Sequence, residues 1–344
     1  RVSTPWTRED ARTLAALAAA GLIFVAALLL ATTPPDALTA LDPKAVTRYN
    51  FIAGAIGIVS ALLVTATSVV MTRKHPGASG VALAHTVPFL TAAAALRLSQ
   101  SHWDTAGWAW TGLGLLIGSL AALTLPKRYR ISIAAPLVVG TVLAATGLLV
   151  RLGQLSQAGI SAILFALIIV LLQVAPWIAL AHIPVRILDA DTIEQIPAQG
   201  ITDQVSNSFV FVVALRSGGA IAAIFLTVSL MTAPETRSVS LPLTLITLGA
   251  VSLVLQTRSI RARVEVLLGA LSGLIVILVA TVLGAYADPR TMPWLTLSAI
   301  ATALVLVVTN VVGPRARPHL TRIADTISVL SLFVLLPLAV YLWS

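Results

Sequence analysis

The chain contains eleven apolar stretches, each about as long as a membrane-crossing helix, and together they occupy most of its 344 residues. A helix needs roughly 20 apolar residues to cross the hydrocarbon core of a bilayer. By that measure the predicted spans are 13–32, 51–71, 80–98, 106–125, 131–150, 158–181, 217–233, 239–256, 266–285, 293–312 and 324–343. The pattern predicts an all-α, polytopic integral membrane protein whose two termini lie on opposite sides.

Composition excludes a water-soluble fold. Hydrophobic residues make up 58% of the chain and charged residues only 10%, whereas a soluble domain carries roughly 25% charged residues. The net charge of +9 is distributed in groups of one to three basic residues beside the apolar stretches. A nucleic-acid-binding protein instead gathers its basic residues on one face. We therefore expect membrane lipids around this chain and no nucleic-acid partner.

The positions of the basic residues predict the orientation, because cytoplasmic loops retain Lys and Arg. Alternate connecting segments carry fifteen basic residues on one side and six on the other, and Arg216 is left unassigned. The N-terminus is therefore predicted to be cytoplasmic and the C-terminus extracytoplasmic. Residues 1–12 form a cytoplasmic lead-in, residues 13–181 contain spans one to six, and residues 217–344 contain spans seven to eleven.

The central segment, residues 182–216, is predicted to be a cytoplasmic loop of unusual charge. It holds four of the thirteen acidic residues of the chain and a single arginine before Arg216. An acidic segment on an otherwise basic face is poorly suited to lie on anionic lipid. We expect it to bind a partner protein, and its candidate binding residues are Arg186, Asp189, Asp191, Glu194 and Asp203.

Two positions are possible for Arg216 at the end of this segment. A span that begins at Phe209 places Arg216 about 10 Å deep, at a rise of ~1.5 Å per residue. An interfacial helix that ends at Arg216 places the charge among the headgroups, and we prefer this arrangement because a charge at depth is costly. Arg97, near the end of the third span, is expected to extend its charged end to the interface.

Two further pairs of charges lie where helices enter the membrane on the cytoplasmic side. Arg261 and Glu265 are four residues apart, and Arg322 and Asp325 are three apart. Both spacings permit ion pairs on one helix face. These residues are explained either as topology charges and helix-start acids or as contacts with another subunit.

The spans provide little chemistry for catalysis or ion-coupled transport. Nine of the eleven contain no Asp, Glu, Lys, Arg or His, and ion-coupled carriers keep such residues at depth. The chain has no cysteine, phosphate loop, HExxH motif or GxSxG motif, which are common signatures of catalytic and metal sites. We expect no enzymatic activity, no cofactor and no metal.

Small residues recur within two spans at spacings that permit close helix packing. Gly54, Gly57 and Ala61 lie in the second span, and Gly269 and Gly273 have the GxxxG spacing in the ninth. Such residues let helix backbones approach closely in lipid. They serve either packing within the chain or a homodimer seam, and the sequence does not separate the two.

Several stretches of the chain resemble the EccD family, the eleven-span membrane component of type VII (ESX) secretion systems in mycobacteria and related actinobacteria. Residues 175–185 resemble the family's passage into its central loop, and residues 255–266 resemble the basic turn before its ninth span. Residues 322–325 and 336–338 resemble its last helix. In span count and topology the resemblance covers nearly the whole chain.

The resemblance implies a non-catalytic scaffold in the plasma membrane of an actinobacterium. In that family two EccD copies form a vestibule beside EccB, EccE and the ATPase EccC, so a homodimer with these partners is expected. The family also places a ubiquitin-like domain before the first span, and residues 1–12 would be the end of its linker. The competing interpretation is a secondary transporter or lipid flippase with a substrate cavity inside one chain.

Overall fold

The computed structural model describes residues 8–32, 43–74, 78–100, 104–121, 130, 133–181, 198–235, 239–256, 263–287, 290, 292–311 and 317–343. Regular structure in these ranges is helical, with no β-strand. The helices are α1 (Arg8–Thr32), α2 (Pro43–Lys74), α3 (Ala78–Ala84), α4 (Val87–Leu98), α5 (Thr105–Ala121), α6 (Ala134–Gly153), α7 (Gln157–Ala181), α8 (Ala198–Met231), α9 (Ser240–Gln256), α10 (Arg263–Ala287), α11 (Met292–Val311) and α12 (Arg317–Trp343).

Each predicted span falls on helical structure, and the third is divided between α3 and α4. The division lies at His85 and Thr86, just before Pro88. Proline has no amide hydrogen, so it cannot continue the hydrogen-bond ladder of α3 but is tolerated in the first turn of α4. Thr86 completes the junction by donating its Oγ1 hydrogen to Leu83 O at 2.7 Å.

The prediction of an all-α, multi-span membrane protein is confirmed. Within the described residues, eight segments are long and apolar enough to cross a membrane, and α9 is a shorter apolar helix. The full count of eleven spans and the orientation of the termini stay predictions.

The chain divides into two compact units, Arg1–Arg151 and Leu152–Ser344. In the first unit α4 contacts α1, α2 and α5. Glycines allow these contacts, because a Cβ on Gly57 of α2 would lie 2.9 Å from Ala94 Cβ of α4. Thr91 of α4 also donates its Oγ1 hydrogen to Gly114 O of α5 at 2.7 Å. The small residues of the second span therefore serve packing within the chain.

In the second unit α9 contacts α7, α10, α11 and α12, and α8 packs between α7 and α10. Large apolar side chains from α7, α8 and α9 are fully buried here, among them Phe165, Leu226 and Ile246. A Cβ on Gly273 of α10 would lie 2.7 Å from Val254 Cγ2 of α9. Gly273 therefore serves packing inside the unit, which is one of the two roles that its GxxxG spacing permits.

Helix α8 is continuous from Ala198 to Met231, and our preferred prediction of a helix that ends at Arg216 was wrong. Gly218 and Gly219 disfavour a helix by about 1 kcal/mol each, but both are buried against the rest of the unit. A Cβ on Gly219 would lie 2.6 Å from Leu172 Cδ2 of α7. Close packing with α7 explains Gly219, and the predicted boundary at residue 216 falls inside a helix.

Candidate functional site

The second unit contains a buried ion pair between α8 and α10. Arg216 Nη1 donates to Glu265 Oε2 at 2.6 Å, and the two residues are 6% and 8% exposed. An isolated charge in an apolar interior is strongly unfavourable, but an opposite charge at hydrogen-bond distance offsets that cost. The pair therefore joins the middle of α8 to the first turn of α10.

Amide side chains lie beside the ion pair and join α7 to α9. Gln256, the last residue of α9, donates its Nε2 hydrogen to Leu172 O at 2.6 Å. Gln173 donates to Ser252 O at 3.4 Å. Hydrogen bonds between helices are the usual role of neutral polar side chains inside membrane proteins. With the ion pair, they link four helices at one level of the unit.

A third polar cluster lies at the start of α7. Gln157 Nε2 donates to Ser229 O of α8 at 2.9 Å, and the hydroxyls of Ser161 and Ser229 are 2.7 Å apart. Both serines are fully buried. Because these groups bond to one another, the cluster fixes the packing of α7 on α8 without presenting polar atoms to a ligand.

The first unit contains a buried arginine that donates to two neutral oxygens. Arg97 of α4 is 5% exposed and donates from Nε to Leu30 O at 2.6 Å. Its Nη1 lies 3.4 Å from Asn50 Oδ1 of α2. Leu30 lies in the last turn of α1, where helix carbonyls lack partners within the helix and the helix dipole favours a cation. Arg97 was expected to extend its charged end to the interface, and the structure shows this side chain buried against α1 and α2.

Most of the predicted partner-binding residues lie outside the part of the chain that the structure describes. These are Arg186, Asp189, Asp191 and Glu194, and the same holds for Arg261. Asp203 lies in the N-terminal part of α8. Their predicted role in partner binding stays a prediction.

The remaining predicted charges have different surroundings. Arg322 and Asp325 are exposed on α12, as a subunit contact or a topology charge requires. Glu265 is buried, and its partner is Arg216, which lies 49 residues away in the chain. The i,i+4 spacing with Arg261 therefore does not identify the ion pair that the structure shows.

Arg216 and Glu265 together are the site that sequence reasoning missed. An arginine in the middle of a helix that packs on both sides needs a partner for its charge. An acid on a neighbouring helix is the expected partner. Glu265 is the only acidic residue within α10. An arginine inside α8 and a single acid in α10 together indicate an ion pair. An interfacial Arg216 would need no such partner, so the predicted interfacial position did not indicate this pair.

The described side chains offer no group of three or more His, Asp or Glu residues that is able to hold a metal ion. The buried charged residues in the described ranges are Arg97, Arg216 and Glu265. Each of the three has a partner inside its own unit. The arrangement therefore stabilises helix packing and does not present a reactive group to a substrate.

Comparison with known families assigns the chain. A family model described as the EccD-like transmembrane domain matches residues 11–344, nearly the whole sequence. The chain belongs to the EccD family. The resemblance found in the sequence is thereby confirmed. A search of curated proteins gave no match to this EccD-family chain.

Solved structures show the same fold. Protomer 1 of the ESX-3 core complex is 17% identical, with a TM-score of 0.72 over 99% of the EccD-family chain and 77% of that protomer. A chain of the MycP5-free ESX-5 inner membrane complex, in State II, is 14% identical, with a TM-score of 0.64 over 90% of this chain and 72% of that one. At these identities the similarity shows the fold alone.

Proposed function

We propose that this chain is a non-catalytic membrane scaffold of a type VII secretion complex. It associates with a second copy of itself and holds the ATPase-bearing EccC, EccB and EccE-like subunits in the plasma membrane for protein export. The observation that carries the proposal is the EccD family match over residues 11–344. The fold shared with chains of the ESX-3 and ESX-5 complexes supports it.

The buried charges agree with a scaffold. In the described ranges each one is used to join helices, so none remains as an unpaired carboxylate or histidine for ion coupling. Ion-driven carriers place such groups where they bind and release the ion. The buried charged groups of both units join neighbouring helices, as expected of a rigid support.

The acidic central segment is the proposed contact for the ATPase subunit. Asp189, Asp191 and Glu194 give it a charge opposite to that of the basic cytoplasmic face. Opposite charges across an interface raise association rates and favour one partner over others. A basic surface on EccC is therefore the expected complement.

Charge reversal tests this contact. The triple variant Asp189→Lys, Asp191→Lys, Glu194→Lys is expected to reduce the amount of EccC that copurifies with the tagged chain from membranes holding the full complex. The matched control is Glu235→Lys, because Glu235 is exposed and lies on the predicted opposite side of the membrane. Equal recovery of EccC with all variants would contradict the proposed contact.

The scaffold itself is tested by native mass. The chain, solubilised gently with its neighbouring gene products, is expected in an assembly that contains more than one copy of it and the ATPase subunit. A monomer or a simple dimer that transports a substrate in liposomes would contradict the proposed scaffold function.

One observation favours a lipid carrier as the second candidate. A groove of about 450 Å³ lies between α9 and α11, lined mainly by apolar atoms of residues such as Leu243, Leu248, Trp294 and Leu297. Its volume is typical of a small-molecule site. However, Thr244 and Thr247 donate their hydroxyl hydrogens to their own helix backbone, and none of the described residues that line the groove is charged. This described lining offers no charged group to a phospholipid headgroup, so the scaffold is the better supported function.

A further inference from the structure

The guanidinium of Arg216 uses only part of its hydrogen-bonding capacity. Nη1 donates to Glu265, whereas Nε and Nη2 are buried and have no partner within the described residues. Arginine carries five N–H donors and keeps its charge in proteins. A buried donor left unsatisfied destabilises the fold, because it has lost its hydrogen bonds to water. A further acceptor beside Arg216 would remove that cost.

A small, partly open cavity adjoins the guanidinium. It measures about 10 Å³, and Arg216 lines it together with Leu172, Leu253, Gln256, Leu268, Gly269 and Ser272. That volume is close to the smallest that holds one water molecule. A phosphate group or a hydrated metal ion is several times larger, so the size of the cavity selects water as the ligand.

We infer that this cavity is a binding site for one structural water molecule. The water accepts hydrogen bonds from Arg216 Nε and Nη2 and donates to Ser272 Oγ and Gln256 Oε1. Ser272 Oγ donates its own hydrogen to Gly269 O at 3.0 Å, and a hydroxyl that donates keeps lone pairs that accept. Four hydrogen bonds are within the range that buried waters make.

The site gives the ion pair a connection to a third helix. Arg216 belongs to α8, Ser272 to α10 and Gln256 to α9, so the water joins three helices around the Arg216–Glu265 contact. This inference does not depend on the proposed function, because it concerns hydrogen bonding inside one unit.

Hydroxyl-radical footprinting of the intact chain in detergent tests the site. A pulse of X-rays generates radicals from bound water, and mass spectrometry locates the oxidised side chains. Leu253 lines the cavity and is 3% exposed, whereas Leu245 is fully buried on the same helix and does not line it. We expect oxidation of Leu253 and none of Leu245. Equal, background oxidation of the two leucines would overturn the inference.

A coupling measurement gives a second, independent reading. Ser272→Ala removes one acceptor, and we expect the melting temperature to fall by about 2–4 °C. The double variant Arg216→Met, Glu265→Leu has no guanidinium to hold the water. Adding Ser272→Ala to this double variant should therefore cause no fall in the melting temperature. An equal fall in melting temperature in the parent chain and in the double variant would show that Ser272 acts without the water. That result would count against the water site. If the serine variant does not fold, the footprinting of the parent chain still decides.

Discussion

Within the described residues each unit buries one arginine, and the two arginines donate to different kinds of acceptor. Arg97 in the first unit donates to the carbonyl of Leu30 and to the amide oxygen of Asn50. Arg216 in the second unit donates to the carboxylate of Glu265. One arginine thus contacts neutral oxygens, whereas the other contacts an oxygen of opposite charge.

The position of each arginine in its surroundings explains the difference. The partner of Arg97 is the end of a helix, where free carbonyls and the helix dipole already favour a cation. Arg216 lies in the middle of α8 beside helices whose carbonyls are used internally, so it needs a charged side chain. A membrane helix thus accommodates an arginine through a neighbouring helix end or through an acid.

The largest expected loss of stability follows from removing the arginine of the Arg216–Glu265 ion pair. Arg216→Met leaves the Glu265 carboxylate buried without a partner, and we expect the free energy of unfolding in detergent to fall by about 3–5 kcal/mol. Thermal unfolding followed by size-exclusion chromatography measures it. The control Arg322→Met changes an exposed arginine and should shift stability by less than about 0.5 kcal/mol. Equal stability of the two variants would refute the role of the pair.

A smaller loss is expected in the first unit. Arg97→Met deprives the neutral acceptors Leu30 O and Asn50 Oδ1 of a donor, so the expected loss is about 1–3 kcal/mol. The same unfolding measurement applies. If this variant were less stable than Arg216→Met, the distinction between neutral and charged partners would be wrong.

The smallest effect is expected when both charges of the second unit are removed. Arg216→Met combined with Glu265→Leu replaces the ion pair by apolar side chains, which is often neutral or stabilising in buried sites. We expect the double variant to recover most of the stability lost in Arg216→Met. A double variant as unstable as the single one would mean that Arg216 acts through contacts other than Glu265.

The sequence predicted the parts of this structure that depend on local composition. Apolar length located the helices, because only helices satisfy their backbone in lipid, and even the division near Pro88 follows from a residue visible in the chain. The pairing of Arg216 with Glu265 depends instead on which helices become neighbours. Gly218 and Gly219 locally favour the end of a helix, but the close packing of Gly219 on Leu172 of α7 favours its continuation. Glu265, which lies four residues from Arg261, likewise pairs with Arg216 on another helix.

The unbroken course of α8 has a mechanical consequence. Its 34 residues make a rod of about 51 Å at ~1.5 Å per residue, which exceeds a hydrocarbon core of about 30 Å. The apolar span within it begins at Ser208, so the excess lies on the side of Ala198, which follows acidic residues 189–194 in the chain. Because α8 is unbroken from Ala198 to the contact of Arg216 with Glu265, a displacement of its N-terminal end would be transmitted to that contact without a hinge.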